Sequence, residues 1–131
     1  MTLFVDTSAL YVLLNAADPA HASATRYLVG LHDRRVPLVT HEFVEVETSA
    51  LLQRRHAEAL HVLHRRLLLV VEVVSVTREE RDRATAALLA APRGPSLVDR
   101  ISFEVMRRDG LTEAFAFDRH FADEGFTTVP V

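Results

Sequence analysis

Short apolar runs suited to buried strands alternate along this chain with stretches whose apolar residues recur at helical spacing, and this alternation narrows the possible folds more than any other feature. Leu3 to Val5 is a strand candidate stopped by Asp6-Thr7-Ser8, after which Leu10, Leu13, Leu14 and Ala17 follow a helical period. Asp18-Pro19 supplies an N-cap and a first-turn proline for a second helix toward His32. Val36 to Thr40 predicts a second strand, Glu42 to His56 a helix, and the segment to Arg65 a further helix. Leu68 to Val76, rich in β-branched residues, predicts a buried strand, and Arg78 to Ala91 a helix that Pro92, Gly94 and Pro95 terminate. Ser96 opens another helix running to Asp109 and ended by Gly110, and Ala114 to Phe117 and Thr127 to Val131 are the last strand candidates. Strands alternating with helices predict an α/β fold in which a central parallel sheet is covered on both faces, a three-layer α/β/α arrangement.

At 131 residues, one core can bury roughly two-thirds of the surface an unfolded chain exposes, and without repeats or linkers a single domain over 1–131 is expected. No apolar run reaches the roughly 20 residues needed to cross a bilayer, and the start of the chain lacks the marks of a secretory signal, so a soluble, cytoplasmic protein is expected. Cysteine is absent, which removes disulfides, zinc thiolates and thiol nucleophiles together. The formal charge of -3 gives no global attraction to nucleic acid, so any phosphate binding has to rest on local charge or a bound cation. Every basic side chain other than histidine is arginine; there is no lysine.

Four carboxylates carry the functional expectation. Asp6 directly follows the first predicted strand and Asp118 the fourth, and ligands of open parallel sheets bind outside the carboxyl ends of the strands. An ordinary N-cap role accounts for Asp6 taken alone. Glu47 falls on a helical wheel between Phe43, Val44, Ala50 and Leu51, in the middle of the apolar face, with Glu42 and Glu45 on the opposite side. A carboxylate aimed at a core requires a partner arginine, a proton or a metal. Asp99 stands three residues after Ser96, where it can close a capping box, and shares a stripe with Ser102, Phe103 and Met106, turned away from a solvent face of Arg100, Glu104 and Arg107. Four converging acids without lysine or cysteine describe a site for a hard divalent cation, Mg²⁺ or Mn²⁺, and the chemistry natural to such a site is attack of activated water on a phosphodiester.

The segments VDTSAL, VEVET, SLVDRISFEVM and FDRHF, in this order and at this spacing, resemble the four acidic motifs of PIN domains, specifically of VapC-type toxins. The resemblance covers nearly the whole chain. It implies that Asp6, Glu47, Asp99 and Asp118 are the catalytic and metal-holding acids, assisted by a hydroxyl of Thr7 or Ser8. It further implies cleavage of single-stranded RNA with Mg²⁺ or Mn²⁺, a homodimer, and a cognate antitoxin that occludes the site. The chain departs from the usual pattern at Ala116, where a hydroxyl residue is common, and at His41 and Glu42, where small polar residues are common.

Arg119 and His120, beside Asp118, are candidate RNA contacts, as are the arginine pairs at 34–35, 54–55, 65–66 and 107–108, although solvated helix faces account for most such pairs. His56, His61 and His64 show no zinc motif and fit an amphipathic helix. The apolar stretch Ala9 to Leu14 suits either a buried helix or a face covered by a second subunit. Receiver domains and haloacid dehalogenase-type phosphatases also place an aspartate after the first strand, but they characteristically need a lysine that this chain lacks. A PIN-like scaffold that binds RNA or a partner without cutting is the alternative, and it would be expected to have lost an acid.

Overall fold

The computed structural model describes residues 1–131. Five strands, β1 (Leu3–Val5), β2 (Leu38–His41), β3 (Glu72–Val74), β4 (Glu113–Phe115) and β5 (Thr127–Val129), form one all-parallel sheet in the order β3-β2-β1-β4-β5. Around it lie α1 (Thr7–Leu14), α2 (His21–Asp33), α3 (Glu42–Arg55), α4 (Leu60–Arg65), α5 (Arg78–Ala90), α6 (Leu97–Arg108) and the short α7 (His120–Asp123). The crossovers move outward from β1 to β2 and β3 through α1–α4, then return across the sheet to β4 and β5 through α5–α7. Right-handed connections therefore put α1–α4 on one face and α5–α7 on the other, as their mutual packing confirms. This is the expected three-layer α/β arrangement.

β1 lies in the middle of the sheet and all three of its residues are buried, which is why it reads as an uninterrupted apolar run. Successive side chains alternate between the two helical layers. Phe4 reaches one layer, stacking on Phe121 at 6.0 Å, and Phe121 meets Phe103 edge-on at 5.1 Å. Phe115, the register partner of Val5, meets Tyr27 of α2 on the other face at 5.3 Å. Aromatic pairs at such distances add about 1 kcal/mol each beyond their burial.

Several boundaries differ from expectation, for local reasons. The long strand expected over Leu68 to Val76 shrinks to β3: a 3-10 turn occupies Leu67–Leu69, and Leu69 is 76% exposed. β3 is an edge strand that pairs only with β2, over Val39–His41. Asp18 caps a turn, its Oδ1 accepting from Ala20 N at 2.8 Å, and α2 starts only at His21. β4 stops at Phe115 rather than Phe117, because Phe117 N donates to Ser8 Oγ at 2.9 Å. In α1, Ala9, Leu10 and Val12 are buried within this chain's own core, leaving Leu13 and Leu14 half-buried and Ala17 beyond the helix. No helix is long and apolar enough to cross a membrane.

Candidate functional site

At β1 the sheet order reverses direction, with β2 on one side and β4 on the other, so the chain leaves their carboxyl ends toward opposite helical layers and opens a crevice there. Asp6 enters it as the N-cap of α1, only 2% exposed, with Oδ2 accepting from Ser8 N at 3.1 Å and Ser8 Oγ at 2.7 Å. Ser8 Oγ in turn accepts from Phe117 N at 2.9 Å, so one hydroxyl ties the turn after β1 to the turn after β4. The other oxygen of Asp6, Oδ1, is buried without a hydrogen-bond partner, as is the hydroxyl of Thr7.

Asp99 comes from the opposite layer. Ser96 caps α6 by accepting from Asp99 N at 3.1 Å, and Asp99 Oδ2 accepts from Ser96 N at 3.2 Å, a reciprocal capping box. Asp118 Oδ1 accepts from His120 N at 2.8 Å and lies 3.8 Å from His120 Nε2. Asp99, Asp118 and His120 form a tight group in which one carboxylate oxygen from each aspartate and one ring nitrogen of the histidine lie within 4.8 Å of one another. Glu47 joins from α3, but not from the middle of a buried face. The buried stripe of α3 is Val44, Thr48 and Leu52, and Glu47 sits half-buried on its flank, where it borders the crevice. Glu42, expected at the solvent, instead accepts from Val76 N at 3.0 Å, whereas Glu45 stays near the surface, 3.8 Å from His64.

Together these side chains line a cavity of about 320 Å³ formed by Asp6, Thr7, Ser8, Glu47, Gly94, Ser96, Asp99, Asp118 and His120, with no apolar residue and no arginine among them. All four expected acids and both expected hydroxyl residues border it. Arg119 does not: its side chain is 85% exposed, 4.0 Å from Asp123. His120, expected as an RNA contact, lies within the carboxylate group itself. Gly94 and Ser96 escaped the sequence reasoning as lining residues. The signal was the turn Gly94-Pro95 ahead of a capping serine, with Gly94 in the left-handed region at φ 98°.

The electrostatics follow from burial and crowding. Burial pushes the Asp6 carboxyl up to about 7, the Asp99 charge adding to the rise and the Ser8 hydrogen bonds opposing it. Burial also raises Glu47, which the nearby Thr7 hydroxyl counters and Asp99 and Asp118 reinforce. Asp99 is raised by burial and then by Asp118, against the opposing contacts of Ser96 and His120. A cluster of oxygen ligands, two of them buried without a hydrogen-bond partner and none offset by arginine, fits a hard divalent cation.

Two buried side chains hold the frame. Arg100, expected on the solvent face, is 9% exposed. Its guanidinium donates to the carbonyls of Pro95, Ala87, Ala91 and Arg93 at 2.9, 2.9, 2.7 and 3.2 Å, clamping the end of α5 and the turn that carries Gly94. His41 caps α3, Nδ1 accepting from Phe43 N and Val44 N, while Nε2 donates to Ser102 Oγ at 2.8 Å; Ser102 Oγ in turn donates a hydrogen bond to Val98 O at 3.0 Å. Burial, and then the Arg108 charge, lowers His41 to about 4, so it stays neutral and links the helix carrying Glu47 to the helix carrying Asp99.

A family model described as PIN domain matches residues 3–126. The chain is 40% identical over 131 residues to the 23S rRNA-specific endonuclease VapC20 of Mycobacterium tuberculosis, covering 97% of each protein. The crystal structure of that protein, described as a sarcin-ricin loop cleaving toxin, superposes with a TM-score of 0.81 at 38% identity, covering 96% of this chain and 97% of that one. A toxin-antitoxin complex from Klebsiella pneumoniae contains a chain that matches with a TM-score of 0.63 at 15% identity, over 90% and 88% of the two chains, a likeness of fold alone.

Proposed function

The chain belongs to the PIN-domain family, and from that premise we propose that it is a metal-dependent endoribonuclease acting on single-stranded RNA as the toxin of a toxin-antitoxin pair. The observation that carries the proposal is the convergence of Asp6, Glu47, Asp99 and Asp118 on one wholly polar cavity without a neutralising arginine. Asp6, Asp99, Asp118 and Glu47 would hold Mg²⁺ or Mn²⁺. When bound, the cation supplies Lewis-acid activation of water and neutralises charge on the phosphate.

The protein's own groups do the positioning. Ser8 fixes Asp6 Oδ2, while Oδ1 is buried without a hydrogen-bond partner. The capping box holds Asp99 at the start of α6, where the positive end of the helix dipole favours negative charge. His120, beside Asp118, can hold a proton close to a developing oxyanion.

The VapC20 resemblance makes 23S rRNA the first substrate to try. A cytoplasmic location follows from such a substrate. A cognate antitoxin and a homodimer are further parts of the proposal; a groove of about 290 Å³ lined by Leu13, Leu14, Leu28, Val62, Leu67 and Val70 offers apolar surface for protein contact. We take residues 1–131 as one catalytic unit. No observation favours a silent RNA-binding scaffold.

The test is incubation of the purified protein with intact ribosomal RNA and a mixed RNA pool in Mn²⁺, Mg²⁺ or EDTA. Discrete fragments with either ion and none with EDTA support the proposal. Intact RNA under every condition contradicts it.

A further inference from the structure

The acidic cavity explains how a scissile phosphate could be handled, but it offers no fixed positive charge for the rest of an RNA strand. A second, larger hollow of about 430 Å³ borders α3 and α6, the helices that carry Glu47 and Asp99, together with α5. Phe43 lies one turn before Glu47 on α3, and residues four apart share a helix face. Leu97 and Val98 stand between Ser96 and Asp99 in the first turn of α6, so that turn borders both hollows. These apolar side chains make one wall. The other wall is α5, which contributes Arg78 and Arg81 together with Asp82 and Thr85.

Neither arginine is engaged. Arg83, Arg107 and Arg108 pair with Glu104, Glu124 and Glu80, whereas Arg78 and Arg81 form no ion pair, even with Asp82 in the same hollow. Both guanidiniums are exposed and therefore available to a ligand. An apolar wall with one aromatic ring facing a wall with two free guanidiniums is the arrangement that takes a single nucleic-acid strand, bases against the first and phosphates against the second.

We propose that the Phe43–Leu97–Val98 wall and the Arg78–Arg81 wall form the track for the RNA segment flanking the cut site, binding it through base packing and two phosphate contacts. This rests on the ribonuclease assignment and adds to it the path of the substrate. It places Arg78 and Arg81 outside the chemistry: they hold the strand and do not touch the reacting phosphate.

The test uses a labelled single-stranded RNA oligonucleotide in Mn²⁺, with binding measured on an Asp118→Asn background and cleavage kinetics on the parent background. Arg78→Gln with Arg81→Gln should raise Kd and KM by about tenfold or more. The slope of log Kobs against log salt should fall in magnitude by ~1.4, at about 0.7 per phosphate contact on a single strand. Its kcat should stay within about twofold, because contacts of equal strength in ground and transition states leave kcat unchanged. Phe43→Ala should raise KM while leaving the salt slope unchanged, which separates base packing from charge. Arg26→Gln, at an exposed position of α2 in the other helical layer, is the control and should leave both Kd and slope near the parent values.

Unchanged Kd and salt slope in the Arg78, Arg81 variant, with an unchanged melting temperature, would overturn the track. Weakened binding in that variant, in a parent that binds RNA but cuts none, would uphold the track and remove the nuclease assignment. A parent that neither binds nor cuts overturns both.

Discussion

Asp99 and Asp118 bring carboxylate oxygens to within 4.8 Å of each other across the mouth of the sheet, and no arginine lines the cavity they share. At an effective dielectric of about 20, two full charges at such a distance oppose each other by roughly 3 kcal/mol before solvent screening. An arrangement of this kind burdens the fold, and a bound cation would relieve it.

Asp99→Asn removes one of those charges while its side-chain oxygen can still accept from Ser96 N. In EDTA the variant should melt higher than the parent, by about 1 kcal/mol of added stability, the removed repulsion outweighing the lost helix-end charge. Mn²⁺ at 100 times its dissociation constant should stabilise the parent by roughly 2.7 kcal/mol and the variant much less. Asp109→Asn, at the other end of α6, should alter neither the metal response nor cleavage. Thermal melts with EDTA and with Mn²⁺ read all three; an Asp99→Asn protein with the full metal response would contradict the assignment.

Asp6 makes a pH signature. Its carboxyl binds a proton more tightly folded than unfolded, so its contribution to metal-free stability is intact below 3.8 and declines as pH rises through about 7. The decline approaches roughly 4 kcal/mol, since each tenfold gain in proton affinity on folding is worth about 1.4 kcal/mol. His41 acts oppositely: lowered to about 4 from 6.5, it takes stability away as pH falls through that range. The two overlap, so the diagnostic quantity is the difference between the parent and Asp6→Asn. In EDTA that difference should grow in favour of Asp6→Asn from acid to neutral pH, and Mn²⁺ should shrink or reverse it. Urea denaturation at a series of pH values measures it.

On α3, Glu47→Gln should lower cleavage by about 100-fold or more with the fold intact. Glu45→Gln disturbs only a partly exposed contact with His64 and should change stability by less than about 0.5 kcal/mol and activity by less than about twofold. Single-turnover rates decide the pair, and equal rates would remove Glu47 from the site.

Arg100→Met would leave four carbonyls without their donor and should destabilise the protein by about 3 kcal/mol. Arg100→Lys, with three donors in place of a planar fork, should recover only part of this. Amide exchange should speed up first in the segment 91–96. Unchanged exchange there would mean that Arg100 does not hold the turn.

What was legible in the sequence was what is local in the chain. Asp6 after a strand, Asp99 three residues from a capping serine and Asp118 after another strand are each set by neighbours within a few residues, and their convergence follows from the crossovers of a parallel sheet. The burial of Arg100 was not legible, because its acceptors lie up to 13 residues away at the end of another helix. His41 reads as a departure from pattern, yet it caps α3 and reaches Ser102, 61 residues away, a role no local spacing encodes. The exposed apolar residues at 69–70 misled through their strand propensity, since a 3-10 turn over Leu67–Leu69 takes up the segment ahead of the edge strand β3.

The chemistry of the cut ends tests the central claim most directly. If Asp6, Glu47, Asp99 and Asp118 hold a cation that activates water, attack on phosphorus would have no need of the RNA 2′-hydroxyl. Ligation-based sequencing of fragments formed in Mn²⁺ should therefore find 5′-phosphate and 3′-hydroxyl ends, absent with EDTA and absent from the Asp118→Asn protein. Ends bearing 2′,3′-cyclic phosphate, formed equally well in EDTA, would contradict the account.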